Sequence, residues 1–188
     1  KAYPPVHLTC LGTGNTEVIK YLLSLEPRWI KKRTSLGESP THIATASGNT
    51  AAALLFVQKD PNSFEESNIM GACPFHLAAQ YGQLRTLLAV INEIHKLTGK
   101  HSPSVTTLLQ TGLKDFSSHH RTPLHYAAQN GHTHFCDWLL SFTQSCEAKT
   151  LLREQFPLLL ESATDMTAPQ LAAINRQLET TRWFVKKL

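Results

Sequence analysis

Ten histidines and four cysteines are the residues of this 188-residue chain suited to binding a metal or acting as a nucleophile. Their spacing favours neither. Cys10, Cys73, Cys136 and Cys146 lie far apart, with no pair at the short spacing of a zinc knuckle. His119 and His120 are adjacent in a loop and diverge on extended backbone. His132 and His134, two apart on an expected helix, diverge as well. A Cys–His nucleophile can be drawn from His132, Cys136 one helical turn further on, and Asp137 beside it. That places the thiol at the second apolar position of a helix, where burial keeps it protonated and inert. Each glycine is taken up by a turn, so no phosphate-cradling loop is left. The expectation is therefore no catalytic residue, no metal ligand and no cofactor.

Composition narrows the partners. Hydrophobic residues make up 41% of the chain, ordinary for a protein that buries a core. The net charge of +4, from 18 basic and 14 acidic residues, is too mild to imply nucleic acid without a concentrated patch. The local clusters Lys31-Lys32-Arg33 and Lys186-Lys187 read as solvated loop and helix end. No apolar run approaches the roughly 18 residues of a membrane span. Three cysteines stand where a small buried residue fits, so reduced thiols in a cytoplasmic setting are expected. The chain starts at Lys1 without a methionine and ends at Leu188 within a helical pattern, which reads as a fragment of a longer polypeptide.

The elements that carry these residues are set by a repeat. A small residue, proline, a third residue and histidine recur as Pro4-Pro5-Val6-His7, Ser39-Pro40-Thr41-His42, Cys73-Pro74-Phe75-His76 and Thr122-Pro123-Leu124-His125. Ser39 and Thr122 suit a helix N-cap, and the proline after each cap suits the first helical position, where its missing N–H costs nothing. Pro5 and Pro169 are given the same role. Ala44, Ala78-Ala79, Ala127-Ala128 and Ala172-Ala173 keep the first helix slim. Gly48, Gly82 and Gly131 follow, each suited to the left-handed end of a short helix. Each second helix then carries an apolar stripe, such as Leu84, Leu87-Leu88 and Ile91. A single unit cannot bury such a stripe alone, so stability must come from stacking.

Thr122-Pro123-Leu124-His125-Tyr126-Ala127-Ala128-Gln129-Asn130-Gly131 resembles the ankyrin-repeat motif almost letter for letter, and Cys73–Gly82 is nearly as close. The resemblance implies an all-α ankyrin-repeat solenoid of about five helix-turn-helix units, approximately 1–33, 34–67, 68–116, 117–162 and 163–188. Prolines at 5, 40, 74, 123 and 169 are 35, 34, 49 and 46 residues apart, so the last two intervals hold helical insertions, approximately 98–116 and 143–162. Short helices are expected near Val105–Gln110, at Glu147–Phe156 and at Leu158–Glu161. The irregular intervals are also similar to ankyrin segments of effector proteins that intracellular bacteria deliver into host cytoplasm.

The resemblance further implies a concave binding surface made of loop tips and the ends of the first helices. By motif position the tips are Ser35, Leu36 and Glu38, then Ile69, Met70 and Ala72, then Ser118, His119 and Arg121. The helix ends are Ala46-Ser47, Gln80-Tyr81 and Gln129-Asn130. Leu36, Ile69, Met70 and Tyr81 are apolar or aromatic where the fold does not require it, rimmed by Glu38, His119, Arg121 and Gln129. The implied function is a non-catalytic module that binds another protein, and not a small molecule, a membrane or nucleic acid. The alternative is a substrate-recruiting or regulatory segment of a larger enzyme or effector. The motif histidines His7, His42, His76 and His125 are implied to bond loop backbone between units.

Overall fold

The cap positions decide where each unit starts. Backbone N–H groups of Ser39, Cys73, Thr122 and Thr167 donate to the side chain three residues on, which is His42, His76, His125 and Gln170 in turn. Ser39 Oγ and Thr167 Oγ1 accept the returning bond from the third helical amide, so two orphan donors are satisfied at one helix start. In this computed structural model, which describes residues 3–12, 16–98, 121–144 and 166–187, the chain forms ten α-helices within those residues.

The first helices of successive units are α1 (Pro5–Leu8), α3 (Pro40–Ala46), α5 (Pro74–Gln80), α7 (Pro123–Gln129) and α9 (Ala168–Ile174). The second helices are α2 (Thr16–Leu25), α4 (Thr50–Lys59), α6 (Leu84–Thr98), α8 (Thr133–Gln144) and α10 (Leu178–Lys187). Short 3-10 turns at Pro27–Lys31 and Pro61–Phe64 follow α2 and α4. No strand occurs among the described residues. The first helices pack side by side in one row, and behind them α2 packs on α4, α4 on α6 and α8 on α10.

Small residues let the first row close up. Ala44, Ala78, Ala79, Ala127, Ala128 and Ala172 are buried, and so little volume between helices permits backbone approach. The second row supplies bulk through Ile19, Leu23, Phe56, Val57, Leu87, Phe135, Leu139 and Phe184, all buried. These stripes merge into one continuous core that runs from Val6 to Phe184. Fully burying each such side chain contributes roughly 1.5–3 kcal/mol, and no unit could bury its stripe without its neighbours.

The last unit departs from the expected frame. Its cap is Thr167, which puts Ala168 at the first helical position and Pro169 at the second, with Gln170 where the other units have histidine. Ala172 is buried accordingly, but Ala173 is exposed. Arg176 takes the left-handed conformation, φ 61°, where Gly48, Gly82 and Gly131 stand in earlier units. The second helix of the third unit, α6, runs for 15 residues, against 10 in α4. The helices expected near Val105–Gln110, at Glu147–Phe156 and at Leu158–Glu161 fall outside the described residues.

Candidate protein-recognition surface

Two loop tips are built alike, one repeat interval apart. In the first, Thr34 N donates to the Glu38 carbonyl at 3.0 Å and Gly37 N to the Thr34 carbonyl at 2.9 Å. In the second, Asn68 N donates to the Ala72 carbonyl at 2.9 Å and Gly71 N to the Asn68 carbonyl at 3.0 Å. Gly37 and Gly71 are left-handed, which reverses the chain in the fewest residues. Thr34 Oγ1 accepts from Leu36 N and Glu38 N, and Asn68 Oδ1 accepts from Met70 N and Ala72 N. These side chains act as internal braces that leave the tip residues facing outward.

The tips are joined to one another. Ile69 N donates to the Leu36 carbonyl at 3.0 Å. A Cβ built on Gly37 would lie 2.9 Å from Ile69 Cγ2 and 3.0 Å from Ile69 N, so only glycine permits this approach. Leu36, Ile69 and Met70 are consequently brought side by side, and all three are exposed. Ala72 does not join them: it is buried, and its carbonyl is occupied by His42. Glu38 is half-buried, with its carboxylate accepting from Thr34 Oγ1 at 3.2 Å. Lys31 pairs with Asp60 and Glu66, and Arg33 with Glu66, so most of the basic cluster is tied to acids of the next unit.

The helix-end residues lie apart from the tips. Tyr81 caps the far end of α5, a helix of seven residues and therefore about 10 Å long. Its ring is exposed, while Gln80 is half-buried and its carbonyl accepts from His132 Nε2 at 3.0 Å. Arg121 Nη1 donates to Gln129 Oε1 at 2.7 Å, which joins two of the expected rim residues along α7. Asn130 is exposed, with its amide turned back on the Tyr126 carbonyl. His119 lies outside the described residues. The described tip residues and helix-end residues thus stand as two groups rather than a single cluster.

Two of the motif histidines join successive units. His7 Nε2 bonds the Glu38 carbonyl and His42 Nε2 the Ala72 carbonyl, each at 3.1 Å. His76 Nδ1 and His125 Nδ1 accept from their cap amides and touch Cys73 Sγ and Thr122 Oγ1. Burial favours the neutral ring, lowering the pKa of His7 and pushing that of His42 down to about 4. The expected divergence of His132 and His134 is not what the structure shows. His132 sits in the turn before α8, and the two rings reach back to the neighbouring carbonyls of Gln80 and Gly82 with centroids 6.2 Å apart. They are missed because the sequence pattern places His132 one residue too far into the helix.

No nucleophile is assembled from the described thiols. Cys10, Cys73 and Cys136 are free and buried, and burial pushes their pKa values up to about 12, 11 and 12. His132, the candidate base for Cys136, is committed to Gln80. Cys73 contacts His76 at 3.1 Å, but as the capping group of α5. A hollow of about 820 Å³ beside α10 is lined by Thr133, Glu179, Arg182 and Trp183, among others, without a thiol or imidazole. No cluster of three or more metal-ligating residues occurs among the described residues, and none of their helices is long and apolar enough to cross a membrane.

Comparison with known families agrees with this geometry. Residues 6–100 match a family described as ankyrin repeats in three copies, and residues 119–150 match a single ankyrin repeat. The chain belongs to the ankyrin-repeat family, whose units are non-catalytic modules that generally bind other proteins. No curated protein matches it at a significant level. The hairpin of α9 and α10 lies beyond both matched segments, consistent with its shifted cap and missing glycine.

Proposed function

We propose that this chain recognises a partner protein through the strip formed by Leu36, Glu38, Ile69 and Met70 at the tips and Gln80, Tyr81, Gln129 and Asn130 at the helix ends, with Arg121 and His119 at its rim. The observation that carries this reading is the bond from Ile69 N to the Leu36 carbonyl, which presents three apolar side chains to solvent as one surface. A small apolar group rimmed by polar residues has the make-up of a protein contact. The pairing of Lys31 and Arg33 with Asp60 and Glu66 favours a protein over a phosphate polymer, since those cations are already neutralised. Three buried thiols suit a reducing compartment, which favours a cytoplasmic site of action.

The experiment is capture of partner from cell lysate by the chain and by its Met70→Ala, Tyr81→Ala double variant. Both side chains are exposed, so the melting temperature should stay within about 1–2 °C while capture falls several-fold. Undiminished capture would remove the strip from the contact.

A further inference from the structure

The second helices begin at equivalent residues, Thr16, Thr50, Leu84, Thr133 and Leu178, so positions along them can be compared directly. The third residue of each is Val18, Ala52, Thr86, Phe135 and Thr180. From α4 onward this residue is at most 2% exposed, whereas Val18 is 44% exposed. The preceding unit is what covers it. Thr86 Oγ1 meets Thr50 Oγ1 at 2.7 Å and donates to the Gly48 carbonyl, and Thr180 Oγ1 meets Thr133 Oγ1 at 2.7 Å.

The sixth residue follows the same rule. Leu55 is buried, and Trp183 is held against the preceding unit by a 3.1 Å bond from Nε1 to Asp137 Oδ1, but Tyr21 is 62% exposed. On the first helices the fourth residue is buried as Ile43, Leu77 and Leu171 and partly buried as Tyr126, yet Leu8 is exposed. The eighth residue of the second helix shows the opposite dependence. Leu23, Val57, Ile91 and Leu140 are buried, and Val185, in the last unit, is exposed. Burial of the third and sixth positions thus goes with the presence of a preceding unit, and burial of the eighth with the presence of a following one.

A unit that ends an array needs a polar outer face. This one carries Leu8, Val18 and Tyr21, which together leave on the order of 300 Å² of apolar surface, taking about 200 Å² for a full-sized side chain. We propose that this face is half of a further repeat junction, covered in the protein by one more helical hairpin of the same type on the N-terminal side of α1. The occupant must present apolar residues at the eighth position of its second helix, as Leu23 and Val57 do for the units after them. This proposal is independent of the tip surface.

The test uses the polypeptide in the form the cell makes and measures labelling of Val18→Cys by a thiol reagent, with Lys20→Cys as the exposed reference on the same helix. Labelling of the Val18→Cys variant is expected to be at least about tenfold slower than the reference and to remain so on dilution. Proteolytic removal of the residues ahead of Lys1 should then bring the two rates together. Equal rates in the intact polypeptide overturn the proposal. Protection that disappears on dilution also overturns it by assigning the face to a second copy, and protection that survives the proteolysis overturns it too. Tyr21→Cys repeats the measurement independently should Val18→Cys disturb α2.

Discussion

His42 Nε2 lies 3.1 Å from the carbonyl oxygen of Ala72, so an imidazole of one unit fastens the loop of the next. Its Nδ1 accepts from Ser39 N, which requires the neutral ring with the proton on Nε2. The pKa falls from 6.5 in the unfolded chain to about 4 in the fold, chiefly through burial. The neutral ring therefore contributes stability that is present above pH 6.5 and is lost as pH falls to about 4. The contribution is about 3 kcal/mol at neutral pH. His42→Gln should keep the cap bond, as Gln170 does at its own helix start, and should remove this titration. Denaturant unfolding at pH 7 and pH 4 should show a smaller acid loss for the variant than for the wild type, and equal losses would contradict the assignment.

The three buried thiols lead to a second expectation. Cys10, Cys73 and Cys136 should resist a neutral-pH thiol reagent in the native chain and react promptly once it is unfolded. Labelled-peptide mass spectrometry reads each site separately. Fast native labelling at Cys136 would reopen a nucleophilic role.

Gly37 is a third point of test. Alanine there must hold φ 74° and meet Ile69 at about 3 Å, so Gly37→Ala should cost about 1–3 kcal/mol and displace the two tips from one another. Thermal unfolding gives the first quantity, and partner capture, expected to fall, gives the second. A variant with unchanged stability and capture would mean that the two tips do not act as one surface.

Much of this fold can be read from residue types, and the exceptions have identifiable causes. Caps, prolines, turn glycines and apolar stripes announce the units because each meets a local requirement that the same residue type satisfies every time. The last unit is misplaced by one residue because Thr167 and Gln170 meet that requirement with different chemistry, leaving Pro169 as a misleading marker. Ala72 is taken for a tip residue because motif position does not reveal that a histidine of the previous unit draws it inward. The braces Thr34 and Asn68 carry a readable signal, a turn-forming side chain two residues before each apolar tip. Separation of Tyr81 from the tips follows only from the length of α5 in space, and the convergence of His132 with His134 only from the exact start of α8.

The direct measurement is site-specific photo-crosslinking to the captured partner, with the probe at Ile69 on the tips and, separately, at Asn92 on the exposed side of α6. Crosslinks from position 69 with few or none from position 92 are the predicted result. Crosslinks from position 92 alone would place the partner on the outer row of helices and contradict recognition through the tips.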